Sequence, residues 1–123
     1  MRFLRALGLL TALLPQVAAA QQAFFGGLAD VPLMPGMAEV PGVGLVFVTP
    51  EGRIVEVEAR ATAGGPVTAA SVRSFYANVL PPLGWEPVAD GLYQRGVEAL
   101  LLSLDQDKTE VVLRVSITPA AAP

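Results

Sequence analysis

The chain contains no cysteine and no histidine, and its one lysine is Lys108. Each absence removes a class of chemistry. Without cysteine there is no disulfide framework, no thiolate nucleophile and no lipid attachment at a cleavage-site cysteine, so stability has to come from packing. Without histidine the commonest general base is missing, which leaves Ser71, Ser74 and Ser103 with only Lys108 as a lysine base. Basic residues are scarce too. Eight basic side chains stand against eleven acidic ones, and the bases are scattered, so the clustered basic face that displaces counterions from nucleic acid is absent. Nucleic acid and anionic lipid are therefore not expected partners.

The longest apolar run lies at the start of the chain. Arg2 and Arg5 form a short positive region, Ala6 to Leu14 is apolar, and Pro15 breaks the run ahead of Ala18-Ala19-Ala20. Small residues at Ala18 and Ala20 predict a signal peptide over residues 1–20, cleaved before Gln21. The run falls short of the roughly 20 residues that span hydrocarbon, so no stable membrane insertion is expected after cleavage. With Arg2 and Arg5 removed, six basic residues face eleven acidic ones in a chain expected to be periplasmic or secreted.

Residues 21–43 read as an extended arm, because Pro32, Pro35 and Pro41 are spaced too closely for a helix or a central strand. It carries Phe24, Phe25, Leu28, Val31, Leu33, Met34 and Met37, more apolar surface than a solvated spacer holds. It either packs on the domain or docks elsewhere, with packing favoured for Val31 to Val43. A domain over residues 44–118 follows, and residues 119–123 read as a disordered tail.

Within the domain, Leu45 to Thr49, the turn Pro50-Glu51-Gly52 and Arg53 to Ala61 spell a hairpin. Val55, Val57 and Ala59 share one face, expected inward; Ile54, Glu56, Glu58 and Arg60 share the other. Thr68 caps a helix whose stripe is Val72, Phe75, Tyr76 and Val79, and Pro81 and Gly84 end it before Trp85. Short strands follow to Arg95. Val97 to Leu104 then places Leu100, Leu102 and Leu104 on one face, and Thr109 to Thr118 points Val111, Leu113, Val115 and Ile117 inward against Val112, Arg114 and Ser116. The expected fold is α+β: an antiparallel sheet built from a hairpin, one helix, then a three- or four-strand meander, with the helix packed on one face and the other face largely wet. The pivot is Val72, Phe75, Tyr76, Val79, Gly84 and Trp85, with the stripe meeting Val55, Val57, Leu102 and Leu113.

Candidate chemistry is thin. Glu56 and Glu58 share a strand face at roughly 7 Å, a glycosidase-like separation, but a flat face offers no cleft and Arg60 continues a charged row. Asp105, Asp107 and Glu110 have D-x-D spacing that calcium uses, yet they lack the rest of such a loop and suit a polar hairpin turn. Gly26-Gly27 and Gly42-x-Gly44 are not followed by the lysine and helix of a phosphate cradle. Trp85, Tyr76 and Tyr93 suit a core with polar tips at its edge, or the lining of a ligand site. No cofactor or metal is expected.

The segments Asp30-Val31-Pro32-Leu33-Met34-Pro35-Gly36 and FYANVLPPLGW, from Phe75 to Trp85, resemble a group of small exported proteobacterial proteins to which no activity is attached. In these a leader precedes a DVPLMPG-like segment, a hairpin, an FY…LP…GW helix and a terminal meander. The resemblance covers most of Asp30 to Thr118 and brings no catalytic residues with it. The expected role is that of a non-enzymatic envelope domain acting through protein contacts, by its wet sheet face or its apolar arm. The alternative is a binder of a small apolar ligand between helix and sheet.

Overall fold

Strict alternation of branched apolar residues builds the centre of this protein. In the computed structural model, which describes residues 22–26 and 28–120, two long strands carry that alternation: β3, Gly52–Thr62, and β7, Glu110–Pro119. They pair antiparallel from Val55 opposite Ile117 to Thr62 opposite Glu110. Val55, Val57 and Ala59 on one strand and Val111, Leu113, Val115 and Ile117 on the other are all buried, each at most a few per cent exposed.

The remaining elements, in chain order, are β1 (Ala38–Glu39), β2 (Leu45–Thr49), α1 (Ala69–Val79), a single 3-10 turn (Pro81–Leu83), β4 (Glu86–Ala89), β5 (Leu92–Arg95) and β6 (Glu98–Gln106). The sheet runs β1-β3-β7-β6-β5-β4, with every neighbouring pair antiparallel, and β2 lies beside β1 on the same edge of β3. The hairpin β2–β3 and the four-strand meander β4–β7 are thus one open sheet, accompanied by a single α-helix among the described residues. The pairing of β3 with β7 joins them.

Local chemistry explains where the helix starts and stops. The Thr68 hydroxyl accepts from the Ser71 amide at 3.0 Å, and the Ser71 hydroxyl accepts from the Thr68 amide at 2.8 Å, a reciprocal cap. At the far end the Leu80 amide still reaches the Tyr76 carbonyl, Pro81 and Pro82 start the 3-10 turn, and Gly84 closes it at φ 96°. That left-handed geometry is open to glycine at no steric cost.

One core cluster contains Val72 and Tyr76 from α1 together with Leu80, Trp85, Tyr93, Leu100 and the inward residues of β3 and β7. Phe75, Val79 and Leu102 are partly buried against it. The segment ahead of the hairpin belongs to this cluster as well: Phe25, Leu28, Val31 and Met37 are all buried. It folds back on itself, with the Phe25 amide donating to Val31 and the Leu33 amide to Ala23, before β1 adds to the edge of β3. At the other terminus β7 runs on through Pro119, and the Ala120 amide donates to the Val97 carbonyl, so the sheet reaches into the stretch read as a tail.

On the face opposite the core, Glu56, Arg60, Ser103 and Arg114 are exposed, with two departures and an apolar patch. Glu58 is 4% exposed and Val112 8%, while Leu45, Phe47 and Leu101 present apolar surface to water. The cause is tertiary: Arg60 of β3 and Arg114 of β7 hold Glu58, and β2 sits at the rim, where no element among the described residues covers it.

Candidate interaction surface

Of the aromatic residues that suggested a ligand site, Tyr76, Trp85 and Tyr93 are all buried, and the polar tips of Tyr76 and Trp85 hold the N-terminal segment. Tyr76 Oη donates to the Pro32 carbonyl at 2.7 Å, and Trp85 Nε1 to the Asp30 carbonyl at 3.3 Å. Burial pushes the Tyr76 hydroxyl well above its ordinary range, so it stays protonated and keeps donating. Tyr93 is likewise raised, by burial and then by the Asp90 carboxylate.

Four charged residues from three stretches of the chain meet beside Trp85. Arg53 Nη2 donates to Asp30 Oδ2 and its Nε to Glu98 Oε2, both at 2.6 Å, while Arg95 donates to the same Asp30 oxygen and to Glu98 Oε1 at 3.3 Å. The Arg95 guanidinium also lies over the Trp85 ring, 4.2 Å from its centroid. Burial by itself raises the Asp30 pKa, but hydrogen bonds from Arg53 and Arg95 outweigh it and leave the carboxyl below its ordinary value. The Glu98 carboxyl is lowered chiefly by its hydrogen bond from Arg53. Two cations and two anions cancel, and the cluster works as a clasp on the N-terminal segment. Only the Arg95–Glu98 spacing across the β5–β6 turn is local; sequence spacing held no sign of Asp30 and Arg53 joining them.

The carboxylates considered for acid–base work are separated by their surroundings. Glu58 accepts from Arg114 Nε at 2.9 Å and from Arg60 Nη2 at 3.1 Å, whereas Glu56 stays exposed with no ion pair among the described residues. Asp107 Oδ1 accepts from the Thr109 hydroxyl and amide and from the Glu110 amide, which closes the β6–β7 turn and lowers its pKa. Glu110 reaches Arg60 at 3.3 Å and Asp105 reaches Arg114 at 3.6 Å. Among the described residues no group of three acidic side chains is placed to hold a metal. Ser71 is spent on the capping box with Thr68, while Ser74, Ser103 and Lys108 are exposed. Gly26 and Gly42 lie in turns. Gly27, Ala18, Ala20 and Gln21, and with them the predicted cleavage site, lie outside the described residues.

What remains unspent is β2 and the sheet face beside it. Leu45 and Phe47 stand opposite Glu56 and Ile54 and share the face away from the core; Val46 and Val48 stand opposite Val55 and Arg53 on the other. Every residue from Leu45 to Val48 is exposed, Val48 to 88%. Among the described residues β2 pairs with β3 alone, so its second backbone edge is open. Edge strands are ordinarily protected by charges, prolines or a covering element, and β2 has no charge along its length. Next to it, a groove of about 310 Å³ is lined by Val43, Glu56, Glu58, Leu101, Ser103 and Arg114. The available signal was the run Leu-Val-Phe-Val itself, apolar at every position where its partner β3 alternates.

A second concavity, about 270 Å³, lies where α1 meets the β4–β5 turn, between Arg73, Ala77, Asp90, Tyr93, Leu102 and Leu104. Among the described residues no helix is long and apolar enough to cross a membrane. No protein-family model matches the chain, and comparison with curated proteins and with solved structures gives no match.

Proposed function

We propose that this chain is an exported, non-enzymatic domain of the cell envelope that works through protein contacts, and that β2 with the adjoining outer face is its contact surface. The observation that carries the reading is the charge-free edge strand, exposed on both faces. Such an edge is an aggregation hazard when bare and a template for an added strand when used. In this reading α1 lies over one face of the sheet and leaves the opposite face to the partner. The basic-apolar leader with Ala18 and Ala20 before Gln21 supports export, as does the resemblance to small exported proteobacterial proteins.

Two measurements test it. A photo-crosslinking residue at Val48 should give discrete adducts in the producing cell, while the same residue at Ser74 on α1 should not; identical patterns overturn the surface. Intact mass of the purified chain should match a start at Gln21, and a mass that retains Met1 overturns export.

A second reading is favoured by the concavity beside α1: a small, largely apolar ligand held between helix and sheet, with Leu102 and Leu104 as its floor. Native mass spectrometry of protein from its own cells checks this one. A retained mass that disappears in Leu104→Trp supports it, and a clean apo mass removes it.

A further inference from the structure

We infer that the occupant of β2 is an extended polypeptide segment that adds antiparallel to its free edge, apolar in the middle and carrying a lysine or arginine at each end. The inference rests on the proposal that β2 is a contact surface and adds the chemistry of the partner. The strand offers Val46 and Val48 on one face and Leu45 and Phe47 on the other, so an incoming strand meets apolar neighbours on both sides. Charge then decides which strand fits. Glu51 and Glu56 flank β2, both exposed, and neither has an ion pair among the described residues. The nearest base, Arg53, is already held by Asp30 and Glu98. The rim of this apolar strand is therefore acidic and uncompensated.

Geometry places the complementary charges. Strands lie about 4.8 Å apart, so a residue opposite Leu45 shares its face with Glu56 at roughly twice that spacing. A lysine or arginine there stretches over Leu45 to the carboxylate, its methylenes covering the leucine. At the other end, past Thr49, a second base meets Glu51. A second copy of this chain lacks both. Pairing β2 with its own image gathers four uncompensated carboxylates around the joint and brings no free base to them.

The test uses blocked peptides and the chain starting at Gln21. The peptide Lys-Thr-Thr-Val-Ile-Val-Lys should bind by fluorescence polarisation and slow hydrogen exchange at residues 45–49. Its counterpart with glutamate in place of both lysines should bind roughly tenfold more weakly, the worth of two exposed ion pairs made or opposed. In the double variant Glu51→Lys and Glu56→Lys the preference should reverse; both positions are exposed, and circular dichroism confirms the fold. Equal affinity for the two peptides, no reversal, or protection of residues 45–49 that rises with protein concentration alone overturns the inference, the last by showing a second copy. If Val48 crosslinks a partner while the peptides show no charge preference, only this inference fails; if Val48 gives no specific adduct either, the contact surface fails with it.

Discussion

Tyr76 Oη and the Pro32 carbonyl, 44 residues apart, lie 2.7 Å from one another in the buried core. That bond ties the helix to the N-terminal segment and makes the segment a wall of the domain. Tyr76→Phe should cost about 1–3 kcal/mol, because the Pro32 carbonyl is left buried without its donor. Urea denaturation measures the loss, and cleavage within residues 22–37 by a nonspecific protease should quicken. An unchanged midpoint would mean that the bond is replaceable.

Trp85 is fully buried and sits between the core cluster and the Arg95 guanidinium. Trp85→Ala should cost roughly 3–5 kcal/mol, a large share of a small domain's stability. Trp85→Phe should cost less, since it keeps ring packing and loses the hydrogen bond to the Asp30 carbonyl. Chemical denaturation of both variants gives the order, and equal losses would show that the indole N–H dominates.

Gly84 stands at φ 96°, and an added Cβ would come within 3.0 Å of Arg95 Cδ. The arginine stem can shift, so the backbone term leads. Gly84→Ala should cost about 1–2 kcal/mol, read as a fall in Tm. An unaltered Tm would place the end of the 3-10 turn in a different conformation.

These pivots were legible because each depends on neighbours in sequence: a threonine cap, a proline pair, a glycine, a stripe. The alternations Val55-Val57-Ala59 and Val111-Leu113-Val115-Ile117 told their inward faces for the same reason. Glu58 was misread as wet because the side chain that buries it, Arg114, comes from β7, 56 residues on, and strand register is a tertiary property. The clasp of Asp30, Arg53, Arg95 and Glu98 was invisible likewise, as only Arg95 and Glu98 are near in sequence and Asp30 and Arg53 join them from two distant segments. Leu45 to Val48 read as an ordinary hairpin strand: its unbroken apolar run was a local signal, but its place at an edge is set by the pairing of the whole sheet.

Acid should loosen that clasp. Asp30 and Glu98 both titrate below their ordinary values of 3.8 and 4.5 in the folded chain. A depressed carboxylate pKa adds stability above the unfolded value, and this stability drains away as pH falls through the folded one. Tm should therefore be level above about pH 5 and decline below about pH 4.5, and Asp30→Asn should flatten the decline. With no histidine in the chain, no step is expected between pH 5 and 8. A melting series from pH 2 to 8 checks both statements.

The clasp and the two backbone bonds also set an order of events. Residues 22–37 are made early, yet the groups that hold them, Tyr76, Arg95 and Glu98, are made much later. Closure must wait for long loops to come together, the slow kind of contact in folding. Until then Phe25, Leu28, Val31 and Met37 have no core to enter, so the growing chain exposes apolar surface that the finished domain buries. Chaperone dependence should accordingly be greatest for chains that have emerged as far as β3 and vanish once β7, the strand that completes the core, is out.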